Sequence, residues 1–194
     1  KEITSDPQTF MQCADTIIRH VGDIGRMVNE FSAFARMPQP QIKPQDLGRI
    51  AREVLVLRKT GRPEISWLSD IPEQGPIVPC DAQMMRQALT NLLQNAEDAV
   101  SMREGAGNIA LSVRSDHGLA YVEVRDDGIG LPAQDRAQLT EPYITHKPKG
   151  TGLGLAIVKK IMEDHGGKVH LEDRPDGPGA LVSLSLPLRS ADGA

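Results

Sequence analysis

The segment Asn91-Leu-Leu-Gln-Asn-Ala-Glu-Asp-Ala99 places polar side chains along one side of a predicted helix. At about 100° per residue, Asn91, Asn95 and Asp98 fall within about 60° of one another, and apolar residues occupy the opposite half. A side-chain amide oxygen is a hard, neutral ligand that suits a Mg²⁺ ion already carrying waters and phosphates. The segment alone indicates either such a site or an ordinary solvated helix face.

A second polar segment, Asp126-Asp-Gly-Ile-Gly130, ends a predicted strand. Counting by twos, Asp126 lies on the same face as the valines of that strand, so its carboxylate points into apolar surroundings. A buried carboxylate needs a hydrogen-bond donor, and the exocyclic amine of adenine is a neutral one. Gly128 and Gly130 would let the backbone approach a flat ring without a Cβ clash. The alternative is a common strand-ending Asp-Gly turn.

A third segment, Thr145-His-Lys-Pro-Lys-Gly-Thr-Gly-Leu-Gly-Leu155, runs into a helix predicted to begin at about Leu153. Glycines before a helix expose backbone N–H groups and the positive end of the helix dipole, which together favour anions. Lys147 adds a mobile positive charge. The Rossmann and P-loop patterns both fail, because no strand directly precedes the glycines and no Lys follows the last one. The preceding loop, 131–149, is predicted to close over the ligand as a mobile cover.

Capping residues, glycine stops and alternating strands predict the rest of the globular part. Asp46 and Asp81 each precede an amphipathic run and are predicted N-caps. Helices and antiparallel strands in this order predict an α+β sandwich with its helices on one face. The predicted elements are helices at 47–60, 81–103 and 153–165, a strand at 64–68, a hairpin turning at 116–118, and strands at 168–172 and 181–186.

The N-terminal region predicts one long helix. Pro7 follows a capping Asp6, and Pro38 and Pro40 end the helix near Met37. At about 45 Å it outruns a domain of about 150 residues, whose radius of gyration is about 15 Å. Each large apolar side chain left in water forfeits about 1.5–3 kcal/mol, so we predict a homodimer through a helical bundle. The apolar seam, spaced alternately by four and three residues, is Phe10, Ala14, Ile17, Val21, Ile24, Val28, Phe31 and Ala35.

The composition argues against several classes of protein. The 194 residues carry 22 Lys and Arg against 26 Asp and Glu, a net charge of −4, so nucleic acid is not expected as a partner. No apolar run approaches the roughly 20 residues that span a bilayer. Cys13 and Cys80 are too far apart for a CxxC zinc pair and indicate a reducing compartment. Since signal peptide and initiator Met are both absent, we expect a cytoplasmic fragment of a longer protein.

The order and spacing of the three polar segments resemble a known family. NLLQNAEDA (91–99), DDGIG (126–130) and GTGLGLAIVKKIMEDHGG (150–167) are similar to the N, G1 and G2 boxes of the ATP-binding domain of sensor histidine kinases, with EPYITHK (141–147) in the place of the F box. This resemblance covers about residues 40–187. It implies the two-layer α/β sandwich shared by histidine kinases, gyrase and the heat-shock chaperone ATPase.

The N-terminal helix also carries a resemblance. VGDIGRMVNEFSAFARMP (21–38) looks like the second helix of the dimerisation and phosphotransfer hairpin, closest to nitrogen-regulation sensor kinases of the NtrY type. The implied domains are a partial hairpin at 1–39, an ATP-binding catalytic domain at 40–188 and a disordered tail at 189–194. The implied whole protein is membrane-anchored.

The resemblance implies roles for the residues of the first two segments. Asn95 would hold Mg²⁺, and Asn91 would support the phosphate and metal site in catalysis. Asp126 would accept the adenine amine, and Gly128 and Gly130 would flank the ring.

The resemblance also implies the phosphate site. Lys147 would bind phosphates as a second catalytic residue, together with the glycines of the third segment. Tyr143 stands where the family often has Phe, which leaves ring stacking intact, and Asp98 stands where many members have a basic residue. The further residues that the resemblance places in the nucleotide site are Ile129, Thr145, Gly150, Thr151, Gly152, Leu153 and Gly154.

The family's phosphate-accepting His is followed by an acidic residue and shortly by Asn-Pro or Thr-Pro, and no His of this chain fits. The acceptor is therefore expected on a helix upstream of Lys1, and the response regulator receiver domain is the implied next acceptor. Two alternatives remain open. Hydrolytic relatives such as gyrase use a Glu one turn before the metal Asn to activate water, where this chain has Asn91. A nucleotide-sensing module without kinase activity is the other.

Overall fold

A computed structural model describes residues 7–35, 37–103, 105–132, 136–142, 144 and 151–188. The tail predicted at 189–194 lies outside these ranges. Each predicted helix and strand is found with ends within two residues of the predicted ones. In chain order the elements are α1 (Pro7–Ala35), β1 (Lys43–Asp46), α2 (Leu47–Gly61), β2 (Ser66–Asp70), β3 (Ile77–Cys80), α3 (Ala82–Ser101), β4 (Asn108–Asp116), β5 (Leu119–Asp126), a single 3₁₀ turn (Arg136–Gln138), α4 (Gly154–Asp164), β6 (Lys168–Asp173) and β7 (Ala180–Pro187).

Five strands form the main sheet, in the order β2-β4-β5-β7-β6. The predicted hairpin is confirmed: β4 and β5 pair antiparallel, and His117 and Gly118 turn between them with φ of 47° and 80°. Two consecutive positive φ angles match the right-handed twist of the flanking strands. The prediction of antiparallel strands is wrong for β2, which runs parallel to β4. Parallel neighbours need a crossover, and here α3 lies in that connection.

Three helices pack on one face of this sheet, which confirms the α+β sandwich. Both predicted N-caps are confirmed. The Asp46 carboxylate accepts the N–H of Arg49 at 2.9 Å, and the Asp81 carboxylate accepts those of Gln83 at 2.9 Å and Met84 at 3.2 Å. The core between the layers is closed by fully buried side chains, the largest being Leu47, Ile50, Met85, Leu89, Leu92, Leu93, Ile109, Leu111, Leu153, Ile161, Met162 and Leu184.

A buried ion pair joins α2 to α3. Glu97 is only 1% exposed, and its carboxylate accepts the Arg58 Nε–H at 2.6 Å. A second guanidinium, that of Arg62, lies 3.6 Å from the same carboxylate. A carboxylate this deep in the protein requires such partners, because an unpaired buried charge is strongly destabilising. The pairing therefore fixes the end of α2 against the C-terminal part of α3.

A second, two-stranded sheet formed by β1 and β3 did not follow from the sequence. The strands pair antiparallel, with Lys43 opposite Cys80 and Pro44 opposite Pro79. Each strand is four residues long and contains a Pro, so neither shows a clear alternating pattern. The sheet places Asp46 at the start of α2 and Asp81 at the start of α3.

Helix α1 leaves a large apolar surface exposed. It is 29 residues long, and its large seam side chains are 47–63% exposed, among them Phe10 (60%), Val21 (63%) and Phe31 (47%). Side chains of this kind are normally covered by another helix, as a bundle would cover them. Among the described helices, none combines the length and apolar character needed to cross a membrane.

Candidate functional site

Asp126 is the last residue of β5, and its carboxylate is buried, as the alternation predicted. It is 4% exposed, and the described polar groups that reach it are backbone N–H groups: that of Gly128, which donates to Oδ1 at 2.9 Å, and that of Ala180. Burial raises the pKa of Asp126, and the neighbouring Asp127 adds to the rise. The two N–H donors and the Arg174 guanidinium oppose the rise without cancelling it.

The next residue, Asp127, has a different role that sequence reasoning missed. Its carboxylate accepts the backbone N–H of Asn108 at 2.8 Å and the Asn108 side-chain amide at 2.7 Å, and lies 3.2 Å from Arg103. Burial opposes ionisation, but these hydrogen bonds and the guanidinium outweigh it and hold the pKa of Asp127 below its ordinary value. Adjacent carboxylates thus differ: Asp127 joins the ends of α3, β4 and β5, and Asp126 is directed into the fold.

The turn that follows these carboxylates packs on the last turns of α3. A Cβ on Gly128 would lie 2.5 Å from the backbone carbon of Ala99, and the N–H of Ile129 donates to the Ala99 carbonyl at 3.2 Å. The missing Cβ of Gly128 is therefore explained by this packing, and its predicted place beside the ring stays a prediction. Gly130 has φ of +78°, which favours glycine. The Ile129 side chain is 60% exposed.

The first and third polar segments meet, as their predicted roles require. The Asn91 side-chain N–H donates to the carbonyl of Gly154 at 3.4 Å. A Cβ on Gly154 would lie 3.8 Å from the Asn95 amide nitrogen. Both carboxamides of α3 therefore lie beside the N-terminus of α4.

The N-terminus of α4 is shaped by glycine and has no side-chain cap. Gly152 adopts a φ of +70°, and Leu153, at the N-cap position, makes no capping hydrogen bond with its side chain. The hydroxyl of Thr151 accepts the Leu153 N–H at 3.4 Å. The N–H groups of the first helical turn have no partner within the helix, so this end presents donors and a positive dipole to an anion.

The other predicted site residues fall into two groups. Asp98 is half-buried on the same side of α3 and accepts the Gln94 amide N–H at 2.9 Å. Tyr143, Thr145, Lys147 and Gly150 lie outside the described residues, so their predicted roles stay predictions. In the described part of the predicted cover, Glu141 pairs with Lys159 of α4 at 2.8 Å.

Arg174 is a further residue near the site that the sequence did not single out. It lies on the turn between β6 and β7, where its backbone N–H donates to the Gly179 carbonyl at 3.1 Å. Its positive charge opposes the rise in the pKa of Asp126 and contributes to the lowered pKa of Asp127. Its buried Nε has no hydrogen-bond partner in the described part of the chain. As an Arg in a Gly- and Pro-rich turn, it had no pattern to mark it.

Comparisons with known proteins point to one family. Residues 80–190 match the profile described as histidine kinase-, DNA gyrase B-, and HSP90-like ATPase. The nitrogen regulation protein NtrY of Azorhizobium caulinodans is 46% identical over 192 residues, 96% of this chain and 24% of that protein. A putative NtrY-like sensor histidine kinase of Rickettsia typhi is 34% identical over 185 residues, 95% of this chain and 30% of that protein. The chain thus spans about a quarter to a third of these relatives.

The chain is also similar to solved structures of histidine kinases. The catalytic domain of the histidine kinase ThkA has a TM-score of 0.67 at 30% identity, covering 76% of this chain and 95% of that one. Full-length ShkA, solved in complex with AMPPNP, has a TM-score of 0.71 at 27% identity, covering 96% of this chain and 40% of that one.

Proposed function

The chain belongs to the histidine kinase-, DNA gyrase B-, and HSP90-like ATPase family, and we propose that it is the ATP- and Mg²⁺-binding catalytic part of an NtrY-like sensor histidine kinase. In this proposal residues 40–188 form the catalytic domain and residues 1–39 the second helix of a dimerisation hairpin. The observation that carries the proposal is that the Asn91 and Asn95 carboxamides lie beside the N-terminus of α4.

The donor groups at this point fit a nucleotide with its metal. A neutral amide oxygen suits Mg²⁺, and the N–H groups of a first helical turn, which have no partner within the helix, suit phosphate oxygens. Asn95 would hold the ion, which when bound would neutralise charge on the phosphates. The turn that follows Asp126 packs on Ala99, one helical turn beyond Asn95, so the purine acceptor lies next to the part of α3 that carries the metal amide.

The reaction we propose is in-line transfer of the γ-phosphoryl group of ATP to a His side chain. Such transfer depends on positioning and on charge neutralisation rather than on covalent chemistry by the protein. Asp126 orients the purine, Asn91 holds the start of α4 through the Gly154 carbonyl, and Lys147 supplies positive charge to the phosphates.

The hydrolytic alternative is disfavoured by a specific contact. Water activation in the ATPase relatives requires a general base one turn before the metal Asn. Here that position is Asn91, whose amide donates a hydrogen bond to the Gly154 carbonyl. A carboxamide cannot take a proton from water, so phosphoryl transfer to a side chain is the better supported reaction.

The acceptor His is expected in a part of the protein outside this chain, which gives a direct test. Incubated with γ-labelled ATP and Mg²⁺, the chain alone should acquire no acid-labile label, because none of its five His residues has the acceptor context. A separately expressed acceptor hairpin from the same protein should be labelled when the chain is added.

The labelling result separates the three functions. A labelled hairpin supports the kinase, and phosphate release without labelling would instead favour a hydrolytic ATPase. Binding of ATP with neither outcome would favour a nucleotide-sensing module. Stable labelling of a His within the chain would contradict the assignment of the acceptor. The labelled hairpin is expected to pass its phosphate to a response regulator receiver domain.

We predict that two copies of the chain associate through α1. The exposed seam should make the chain a dimer at micromolar concentration, measured as twice the chain mass by light scattering. Ile17→Glu, on the seam, should produce monomers. Ile18→Glu, one residue away on an equally exposed side chain outside the seam, is the matched control and should remain dimeric. A wild-type chain that is strictly monomeric would contradict the proposal.

A further inference from the structure

A buried imidazole links the end of α4 to the start of α3. His165, directly after α4, is 6% exposed, and both of its ring nitrogens have partners. Nε2 lies 2.9 Å from the backbone nitrogen of Asp81, and Nδ1 lies 2.6 Å from the carbonyl oxygen of Ile161. A backbone N–H can only donate, so Nε2 is the acceptor. The ring proton is therefore on Nδ1, which donates to Ile161, and the imidazole is neutral.

Asp81, the partner of this imidazole, also makes hydrogen bonds to other parts of the chain. The N–H of Asp81 binds His165, and its carboxylate caps α3 through Gln83 and Met84. The same carboxylate accepts the N–H of Gln41, in the segment between α1 and β1, at 2.8 Å. Burial disfavours the charged carboxylate, but these N–H donors outweigh it and lower the pKa of Asp81. Asp81 is thus held in place at the start of α3 by hydrogen bonds through both its backbone N–H and its carboxylate.

Helix α4 is attached to α3 at both of its ends. Asn91 binds the Gly154 carbonyl at the N-terminal end, and His165 binds Asp81 at the C-terminal end. Between them α4 packs through apolar side chains such as Ile157, Val158 and Ile161. Apolar contact is non-directional, so it resists separation of the helices far better than sliding along their length. The directional bonds at the two ends fix the position along the axis.

We propose that His165 is a positioning residue that sets where the N-terminus of α4 lies relative to Asn95. The Asn91 contact is long, at 3.4 Å, whereas the His165 contact is short and buried. The latter therefore provides most of the axial restraint. Its consequence for nucleotide affinity rests on the proposed function, but the restraint on α4 does not.

Two substitutions of similar polarity separate the two bonds of the ring. In His165→Asn, the amide can replace Nδ1 toward Ile161 but is too short to reach Asp81. In His165→Gln, the side chain reaches as far as Nε2, and its oxygen can accept the Asp81 N–H. With Mg²⁺ and AMPPNP in calorimetry, His165→Asn should bind about tenfold more weakly and His165→Gln within about twofold of wild type. His170→Gln, which changes an exposed imidazole, is the control.

A readout without nucleotide tests the restraint itself. The Ile157 N–H closes the first hydrogen bond of α4, to the Leu153 carbonyl at 2.8 Å, at the end remote from His165. Its exchange with deuterium should be faster in His165→Asn and unchanged in His165→Gln, with both variants showing cooperative urea unfolding.

The outcomes separate this inference from the proposed function. If the wild-type chain bound no nucleotide while Ile157 exchanged faster in His165→Asn alone, the proposed function would fail and the positioning role would stand. Equal Ile157 exchange in both variants would overturn the positioning role, as would weaker binding by His165→Gln than by His165→Asn.

Discussion

Asn95→Ala is expected to weaken binding of ATP in the presence of Mg²⁺ by about 100-fold. The Asn95 carboxamide lies beside the start of α4, and we propose that it holds the ion. Its loss should remove the dependence of affinity on Mg²⁺. Folding should survive, because Ala is the best helix former and the position lies in the interior of α3.

Calorimetry with ATP, measured with Mg²⁺ and with a chelator, tests this expectation. Gln87→Ala removes an exposed amide from the same helix and is the matched control. The control should bind like wild type in both conditions. Binding by Asn95→Ala within threefold of wild type, with Mg²⁺ dependence intact, would assign the metal to other residues.

Asp126→Asn is expected to weaken nucleotide binding by about 30-fold, because the introduced amide can present a donor where the purine amine also donates. The same change should raise the free energy of unfolding at neutral pH. Burial raises the pKa of Asp126, so the folded chain binds this proton more tightly than the unfolded chain does. Stability is therefore lost as the pH rises from the ordinary carboxyl pKa through the raised one. Asparagine removes that loss.

Asp127→Asn is the matched control with the opposite sign. The pKa of Asp127 is lowered, so its contribution is present above the ordinary carboxyl pKa and is lost as the pH falls through the lowered value. This variant should be less stable than wild type at neutral pH. Urea unfolding of the wild type and of both variants, from acidic to neutral pH, measures how each substitution changes the slope of the free energy of unfolding against pH. Equal slopes, or a destabilised Asp126→Asn, would contradict the distinction between these carboxylates.

The parts of the fold that followed from the sequence are those set by local chemistry. Asp46 and Asp81 cap helices through N–H groups within three residues of them, and Gly166, with a φ of +65°, follows the end of α4. The inward direction of Asp126 followed from alternation alone. The two-stranded sheet and the parallel pairing of β2 did not follow, because both depend on contacts between segments far apart in the chain.

In the candidate site too, local features followed from the sequence and contacts between distant segments did not. The helical period placed Asn91 and Asn95 on one face, but only the tertiary structure shows that this face meets Gly154. Asp127 was not separated from Asp126, because its partners Asn108 and Arg103 come from other elements. The burial of His165 likewise did not follow from the sequence, because histidines are intermediate in burial and no local pattern marks a buried one.

The bond from Gln41 to Asp81 joins the segment after α1 to the body that carries the site. The donor is a main-chain N–H, which every residue except proline possesses. The joint therefore depends on the path of the backbone and not on the side chain at position 41. Substitutions there should be tolerated broadly, whereas proline should remove this hydrogen bond between the segment after α1 and the start of α3.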